Sequence, residues 1–168
     1  KHFELGNFEI FGVNYMARNE FYHKDWCRSD SMKEHSDKTI VSELNMLGDQ
    51  LPHNDNRIVV SYMPPCGLLL DKTQLDLQGS YMIRRLAENQ CTIKPNIMLC
   101  AGFPESFNMT GKWSHLNGTC MIYQPGQSKE SLDYCILEVN EQCAITHDYH
   151  PKDLNLKLEK QLKLEGKL

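Results

Sequence analysis

Seven cysteines at wide, irregular intervals constrain this chain more than any other feature of its sequence. They are Cys27, Cys66, Cys91, Cys100, Cys120, Cys135 and Cys143. No C-x-x-C pair occurs, so a zinc ribbon or finger is poorly supported. Such spacing is typical of disulfides formed in an oxidising compartment, which predicts a secreted, extracellular protein with these cysteines in disulfide bonds. Because the number of cysteines is odd, at least one of them is free or paired outside the chain. The alternative to a secreted protein is a cytosolic protein with buried thiols.

Two N-glycosylation sequons agree with secretion. They begin at Asn108 and Asn117, and they predict a glycoprotein with both side chains at the surface. The sequence starts at Lys1 and has no apolar signal segment. This predicts that a signal peptide has been removed, because the cysteines and sequons agree with secretion; a chain trimmed from a larger protein is the alternative.

Length and charge narrow the classes of partner. A length of 168 residues fits one domain, so residues 1–168 are predicted to form a single β-rich domain. The net charge is −4, with Lys and Arg scattered along the chain, so no basic stripe is available for nucleic acid. No apolar run is long enough to span a membrane.

Short apolar runs separated by turn-forming clusters predict a mainly β fold of eight to ten strands. The predicted strands cover residues 8–18, 39–47, 57–63, 68–77, 80–86, 91–100, 107–115, 119–123 and 132–139. Asn117-Gly118 is the strongest hairpin signal, whereas Pro95 predicts an edge position or a bulge for its strand. This pattern is typical of an antiparallel β-barrel or, alternatively, a β-sandwich.

The C-terminal tail has a different pattern. Pro151 and Gly166 suit the start and stop of a helix over residues 151–166. Leu154, Leu158 and Leu162 share one face of such a helix, which predicts an amphipathic helix packed on the body. Alternating leucines from Leu154 to Leu158 also fit a strand, so both interpretations stay open.

No sequence motif predicts catalysis. The chain has no nucleophile elbow, P-loop, dinucleotide fingerprint or H-E-x-x-H motif. His147 and His150 stand three residues apart, but they lie beside Pro151 in a predicted connection, so a metal site is not expected. We therefore expect a protein that is not an enzyme and needs no cofactor, although catalytic groups that meet only in the fold would escape this test.

Aromatic residues in the predicted strands are the candidate ligand contacts. Alternate positions of a barrel strand point inward, and rings with a polar tip suit a cavity lining. The candidates are Tyr15, Tyr62, Tyr81, Trp113, Tyr123 and Tyr134. Ordinary core packing is the competing explanation for each of them.

Two stretches carry a resemblance to a known family. They are YMARNEFYHKDWC with the later KTIVSELNML, and CMIYQPGQSKESLDYCILEVNEQC from Cys120 to Cys143. Together they resemble the histamine-binding type of lipocalin from tick saliva. The resemblance implies an eight-stranded antiparallel barrel with an outer helix, a disulfide between Cys120 and Cys143, and a cup for a biogenic amine, fatty acid or eicosanoid. The motif that carries an acidic amine contact is altered here by Cys135 and Ile136, and Glu138 is the nearest candidate.

Two functions follow as hypotheses. The first is a secreted binding protein that sequesters a small hydrophobic or amine ligand in a barrel cavity. The second is a secreted β-sandwich that binds another protein, such as a receptor, cytokine or immune factor.

Overall fold

Strands and helices alternate along the first two thirds of the chain. The computed structural model describes residues 2–13, 16–17, 27–28, 40–50, 55–103, 105–126, 133–151 and 163–165. The strands are β1 (His2–Leu5), β2 (Phe8–Val13), β3 (Met16–Ala17), β4 (Cys27–Arg28), β5 (Arg57–Ser61), β6 (Ile97–Cys100), β7 (Ser114–Asn117), β8 (Cys120–Tyr123), β9 (Ile136–Val139) and β10 (Ile145–Tyr149). The helices are α1 (Ile40–Gln50), α2 (Tyr81–Ala87) and α3 (Ser106–Thr110).

Six of these strands form the central sheet, in the order β1-β2-β5-β6-β8-β7. The four inner strands pair in parallel, and β1 and β7 add antiparallel edges. The rest form two small sheets, β9 with β10 and β3 with β4. A parallel connection needs a long crossover, and α1 and α2 lie in the crossovers on either side of β5.

The prediction of a strand-rich chain with few helices is confirmed, but the described strands do not close into a barrel. The antiparallel barrel is therefore wrong for this part of the chain: the large sheet is open and parallel at its centre. The sandwich alternative also assumed antiparallel sheets.

Two predicted strands are helices. Residues 39–47 fall largely in α1, where Ile40 and Leu44 are both buried at the four-residue spacing of one helical face. Residues 80–86 fall in α2, where the Ser80 hydroxyl caps the helix by accepting a hydrogen bond from the Ile83 N–H at 3.0 Å. Short apolar runs suit either element, so tertiary packing decided between them.

The remaining strand predictions had mixed outcomes. Residues 68–77 form a loop, and part of 107–115 is α3. The 91–100 strand begins only at Ile97, after Pro95, and lies inside the sheet rather than at its edge. The hairpin at Asn117-Gly118 is confirmed: Asn117 pairs with Cys120, and Gly118 has a φ of 62°. Of the predicted C-terminal helix, only Pro151 and residues 163–165 lie within the described residues.

A buried ion pair joins the first two parallel strands. Glu9 on β2 and Arg57 on β5 are register partners, and the Arg57 Nε donates to the Glu9 carboxylate. Glu9 is fully buried and Arg57 nearly so. Removal of one partner would leave the other charge uncompensated in the interior.

We expect Glu9→Ala to lower the free energy of unfolding by about 3–5 kcal/mol, because Arg57 would remain buried and charged. The double variant Glu9→Leu/Arg57→Met should recover much of this loss, since it removes both charges. Urea denaturation followed by circular dichroism measures both changes. As the control, Lys72→Met breaks the exposed Lys72–Asp76 pair and should have little effect. Equal losses in Glu9→Ala and Lys72→Met would contradict the importance of the buried pair.

Candidate functional site

The two faces of the central sheet are covered unequally. On the first face, α1 and α2 pack over the inner strands and bury one continuous apolar core, which includes Phe11, Val59, Met98 and Ile122. On the second face, the β9–β10 hairpin and α3 pack over β6 and β8. The other half of the second face, over β1, β2 and β5, is largely exposed.

We call this exposed region the open face. The pairings of Phe3 with Ile10, and of Gly12 with Val60, put alternate residues of three strands on the same side. Its strand residues are Phe3, Leu5, Phe8, Ile10, Gly12, Ile58 and Val60. Tyr62, just after β5, is added to it because its N–H donates to the Val13 carbonyl at 3.0 Å and so continues the alternation. Phe8 and Ile58 are half-buried against the core under the hairpin, so they mark its inner boundary. The open face thus continues the covered half of the same sheet surface.

Large apolar side chains dominate the open face. Phe3 is 62% exposed, Leu5 66%, Val60 44% and Tyr62 46%. An aromatic side chain has roughly 150–250 Å² of surface, so Phe3 and Tyr62 alone expose about 200 Å². With Leu5 and Val60 added, the patch enters the range of about 300–600 Å² that is typical of the largest, often functional, patch on a monomer.

The edge strand β1 is oriented against the usual burial pattern. Its register puts Glu4 beside Glu9 on the side of the sheet where the helices pack, and Phe3 and Leu5 on the other side. A shift of one residue would reverse these faces, so the Gly6-Asn7 turn selects exposure of the apolar pair. Gly-Asn is a two-residue hairpin signal, but the strand predictions above did not include a hairpin at Gly6-Asn7. A hairpin there would have predicted that Phe3 and Leu5 lie in a strand paired with β2.

The covered half of the second face shows which contacts hold another layer against this sheet. Trp113 and Tyr123 lie with ring centroids 5.7 Å apart, and the Tyr123 hydroxyl donates to Asp148 on β10 at 3.1 Å. Burial, and then the Asp148 carboxylate, raise the pKa of Tyr123. His150 follows β10 and stacks on Phe107 and Trp113 at 4.6 and 5.3 Å. Aromatic packing and one buried hydroxyl therefore fasten the β9–β10 hairpin to the sheet.

The predicted ligand contacts do not line one cavity. Trp113 and Tyr123 meet in the core, as the competing explanation proposed, and Tyr62 lies on the open face. The remaining predicted contacts are dispersed. Tyr81 begins α2 and is exposed, Tyr134 and Glu138 are exposed in or near β9, and Tyr15 is outside the described residues.

The cysteines also differ from expectation. Among the six whose side chains are described, no two are joined by a disulfide; the side chain of Cys27 is outside that set. The structure does not join Cys120 to Cys143: Cys120 belongs to the core beneath the helices and Cys143 to the core beneath the hairpin. Burial raises the pKa of Cys120 to about 12 and that of Cys143 to about 11, so both remain protonated thiols at neutral pH.

The two sequons lie in different environments. Asn108 is exposed on α3, as a glycosylation site requires. Asn117 is half-buried at the end of β7, and its Nδ2, the atom that would carry a glycan, is buried. The predicted surface position is therefore supported for Asn108 and not for Asn117.

Two grooves lie away from the open face. One of about 510 Å³ runs between β8 and the hairpin, with Met121, His147 and Asp148 in its lining. The other, of about 490 Å³, lies near the start of β6 and includes Arg57 and Lys94. No group of three or more potential metal ligands occurs among the described residues. None of the described helices is long and apolar enough to cross a bilayer.

Comparison with known proteins gives a fold without a family. No family model and no curated protein matches the chain. A solved crystal structure matches with a TM-score of 0.59 and 18% identity, over 89% of this chain and 52% of that chain. The chain therefore spans about half the length of the solved structure that it matches, and the likeness concerns the fold alone.

The burial of the thiols predicts a graded reactivity. In native protein, iodoacetamide should modify half-buried Cys91 and Cys135 before Cys100, Cys120 and Cys143, which are buried. Burial raises the pKa of all five thiols, so labelling near neutral pH should be slow throughout. Peptide mapping without reduction, with a urea-unfolded control that labels all five, measures the order. A Cys120–Cys143 disulfide in the map would contradict this arrangement.

Proposed function

We propose that this protein acts by binding another polypeptide, which packs an apolar β-layer onto the open face. One observation carries the proposal: the register of β1 turns Phe3 and Leu5 outward, on the same side of the sheet as exposed Val60 on β5. An uncovered apolar patch of this size is often functional, and contact with another polypeptide is one use of such a patch.

The kind of partner follows from the covered half of the same surface. There the molecule uses its own two-stranded β9–β10 hairpin as the covering layer. Stacked sheets pack about 10 Å apart with interdigitating side chains. A partner that presents an apolar strand pair or sheet would continue this layer across the open face.

The binding free energy at the open face should come from a few well-packed side chains. Apolar burial contributes about 25 cal/mol per Å², but association costs several kcal/mol of lost freedom, so only a well-packed centre gives useful affinity. Phe3 on β1 and Tyr62, the residue after β5, are the aromatic anchors, and Val60 lies on β5. Phe3 and Val60 extend from strands rather than loops, which lowers the entropy lost on binding.

A small-ligand carrier is less well supported. That hypothesis required a barrel interior, whereas the described sheet is open. Its acidic contact, Glu138, is exposed on β9 rather than directed into a cavity. The groove beside the hairpin is the place where a small molecule would bind, and native mass spectrometry of the purified protein would detect one.

Secretion remains part of the proposal, and the partner is then an extracellular protein. The exposed position of Asn108 leaves that side chain accessible to a glycan, as an extracellular sequon requires. Because Cys100, Cys120 and Cys143 are free thiols in the structure, these cysteines do not support secretion through disulfide formation.

A photo-crosslinking amino acid at Val60 tests the function. Irradiation in the fluid or extract that contains the natural partner should give a discrete polypeptide adduct, whose crosslinked peptide is apolar and strand-forming. The matched control carries the same group at Leu116, which is 63% exposed on β7 at the opposite edge of the sheet. Absence of an adduct at Val60, or equal adducts at Val60 and Leu116, would contradict binding through the open face.

A further inference from the structure

We propose that Gly102 is a positioning residue for the open face: it fixes the main chain of Tyr62, and thereby the place where the exposed Tyr62 ring leaves the sheet. This inference rests on the proposed function and deepens it by naming what supports one of its two aromatic anchors. Gly102 follows β6 and acts through Tyr62 rather than by touching the partner.

Tyr62 needs such support because it lies just beyond the end of a strand. The other residues of the open face lie within β1, β2 or β5, whereas β5 ends at Ser61. The pairing of β5 with β6 also ends there, at Cys100. The chain then enters the connection to α2. A side chain at this place is directed only as well as the main chain beneath it is fixed, and a fixed side chain loses less entropy on binding.

Two hydrogen bonds hold the main chain around Tyr62. Its N–H donates to the Val13 carbonyl on β2 at 3.0 Å. The buried Ser61 hydroxyl donates to the Met63 carbonyl at 2.7 Å and so bridges from the residue before Tyr62 to the residue after it. The first bond fixes Tyr62 toward β2. The neighbour of β5 on its other side is β6, which leads into Gly102.

Gly102 supplies the contact on that other side by close approach. A Cβ at position 102 would lie 2.5 Å from the Tyr62 carbonyl oxygen, 3.4 Å from the Tyr62 carbonyl carbon and 3.5 Å from the Met63 Cα. The φ of Gly102 lies outside the left-handed region, so its own backbone conformation does not demand glycine. Glycine is also found where another stretch of backbone comes close. The place of the Tyr62 main chain therefore explains the glycine.

An alanine at position 102 would displace the Tyr62 peptide. The atoms it would meet belong to the main chain, so rotating a side chain cannot relieve the contact. The displacement acts on the residue that carries the exposed ring, whereas Phe3 and Val60 are held by the pairing of their own strands. Binding sites lose affinity when the groups beneath an anchor no longer fix its position.

Hydrogen exchange of the Tyr62 amide, followed by NMR, tests the positioning without a partner. In Gly102→Ala the bond to the Val13 carbonyl should weaken, so the Tyr62 N–H should exchange at least about tenfold faster than in the wild type. The matched control is Gly79→Ala, where the added Cβ would also meet main chain, the Cys66 nitrogen at 2.7 Å, in the same β5–α2 connection. Once the change in global stability is subtracted, the control should exchange like the wild type. Equal acceleration in both variants would contradict the positioning.

Ser61→Ala provides a second variant in case Gly102→Ala does not fold. It adds no atom and removes the hydroxyl that bridges to the Met63 carbonyl, so it loosens the main chain on both sides of Tyr62. At equal global stability, the Tyr62 N–H should exchange faster in Ser61→Ala than in Gly79→Ala. If the two exchange alike, these contacts do not fix Tyr62 and the inference is wrong.

Crosslinking through Val60 measures whether the positioning matters for binding. In the fluid or extract that gives the wild-type adduct, we expect Gly102→Ala to need roughly two- to tenfold more protein for half-maximal crosslinking to the same polypeptide. Gly79→Ala should need the wild-type concentration, although its main chain is strained as well. A purely structural role of Gly102 would shift both variants in parallel.

The failures of the two proposals are distinguishable. If the wild type gives a discrete adduct at Val60 and Gly102→Ala needs no more protein than the wild type, the proposed function stands and the role of Gly102 is overturned. If the wild type gives no adduct at Val60, the proposed function falls, and the role of Gly102 in binding falls with it. Faster exchange of the Tyr62 N–H would then be a property of the fold alone.

Discussion

Four parallel strands present two apolar faces, and each face must be covered by another layer. This constraint governs the rest of the described structure. Crossover helices supply one cover, because α1 and α2 connect strands that run in the same direction and pack back on the sheet. Among the described residues, no such connection covers the second face over β2 and β5, and the β9–β10 hairpin reaches only half of that face.

Burial on the first face explains several features that are otherwise unconnected. The Glu9–Arg57 pair is buried in register between β2 and β5, so each charge needs the other. The thiols of Cys100 and Cys120 are buried in the core beneath the helices, where they behave as small apolar side chains. Because the low-polarity interior disfavours the thiolate, burial raises the pKa of both thiols, and oxidation to a disulfide is not needed to explain their presence.

The second face connects structure with function. Its covered half is held by Trp113, Tyr123 and His150, and its open half carries Phe3, Val60 and Tyr62. The same surface thus contains both a core and the proposed binding site, and the two are divided where the chain's own hairpin ends.

Sequence by itself determined that the chain is rich in strands, that Arg57 to Ser61 forms one of them, and that Asn117-Gly118 closes a hairpin, because β-branched runs and turn residues act locally. It also contained the Gly6-Asn7 signal for β1. Parallel pairing, the helical state of Ile40–Gln50 and Tyr81–Ala87, and the separation of Cys120 from Cys143 were decided only by tertiary structure. Short apolar runs satisfy helix and strand alike, and cysteine spacing does not specify which face of a sheet a thiol occupies. The open face was also decided only by tertiary structure, because the exposure of an apolar residue depends on which surfaces the rest of the chain leaves uncovered.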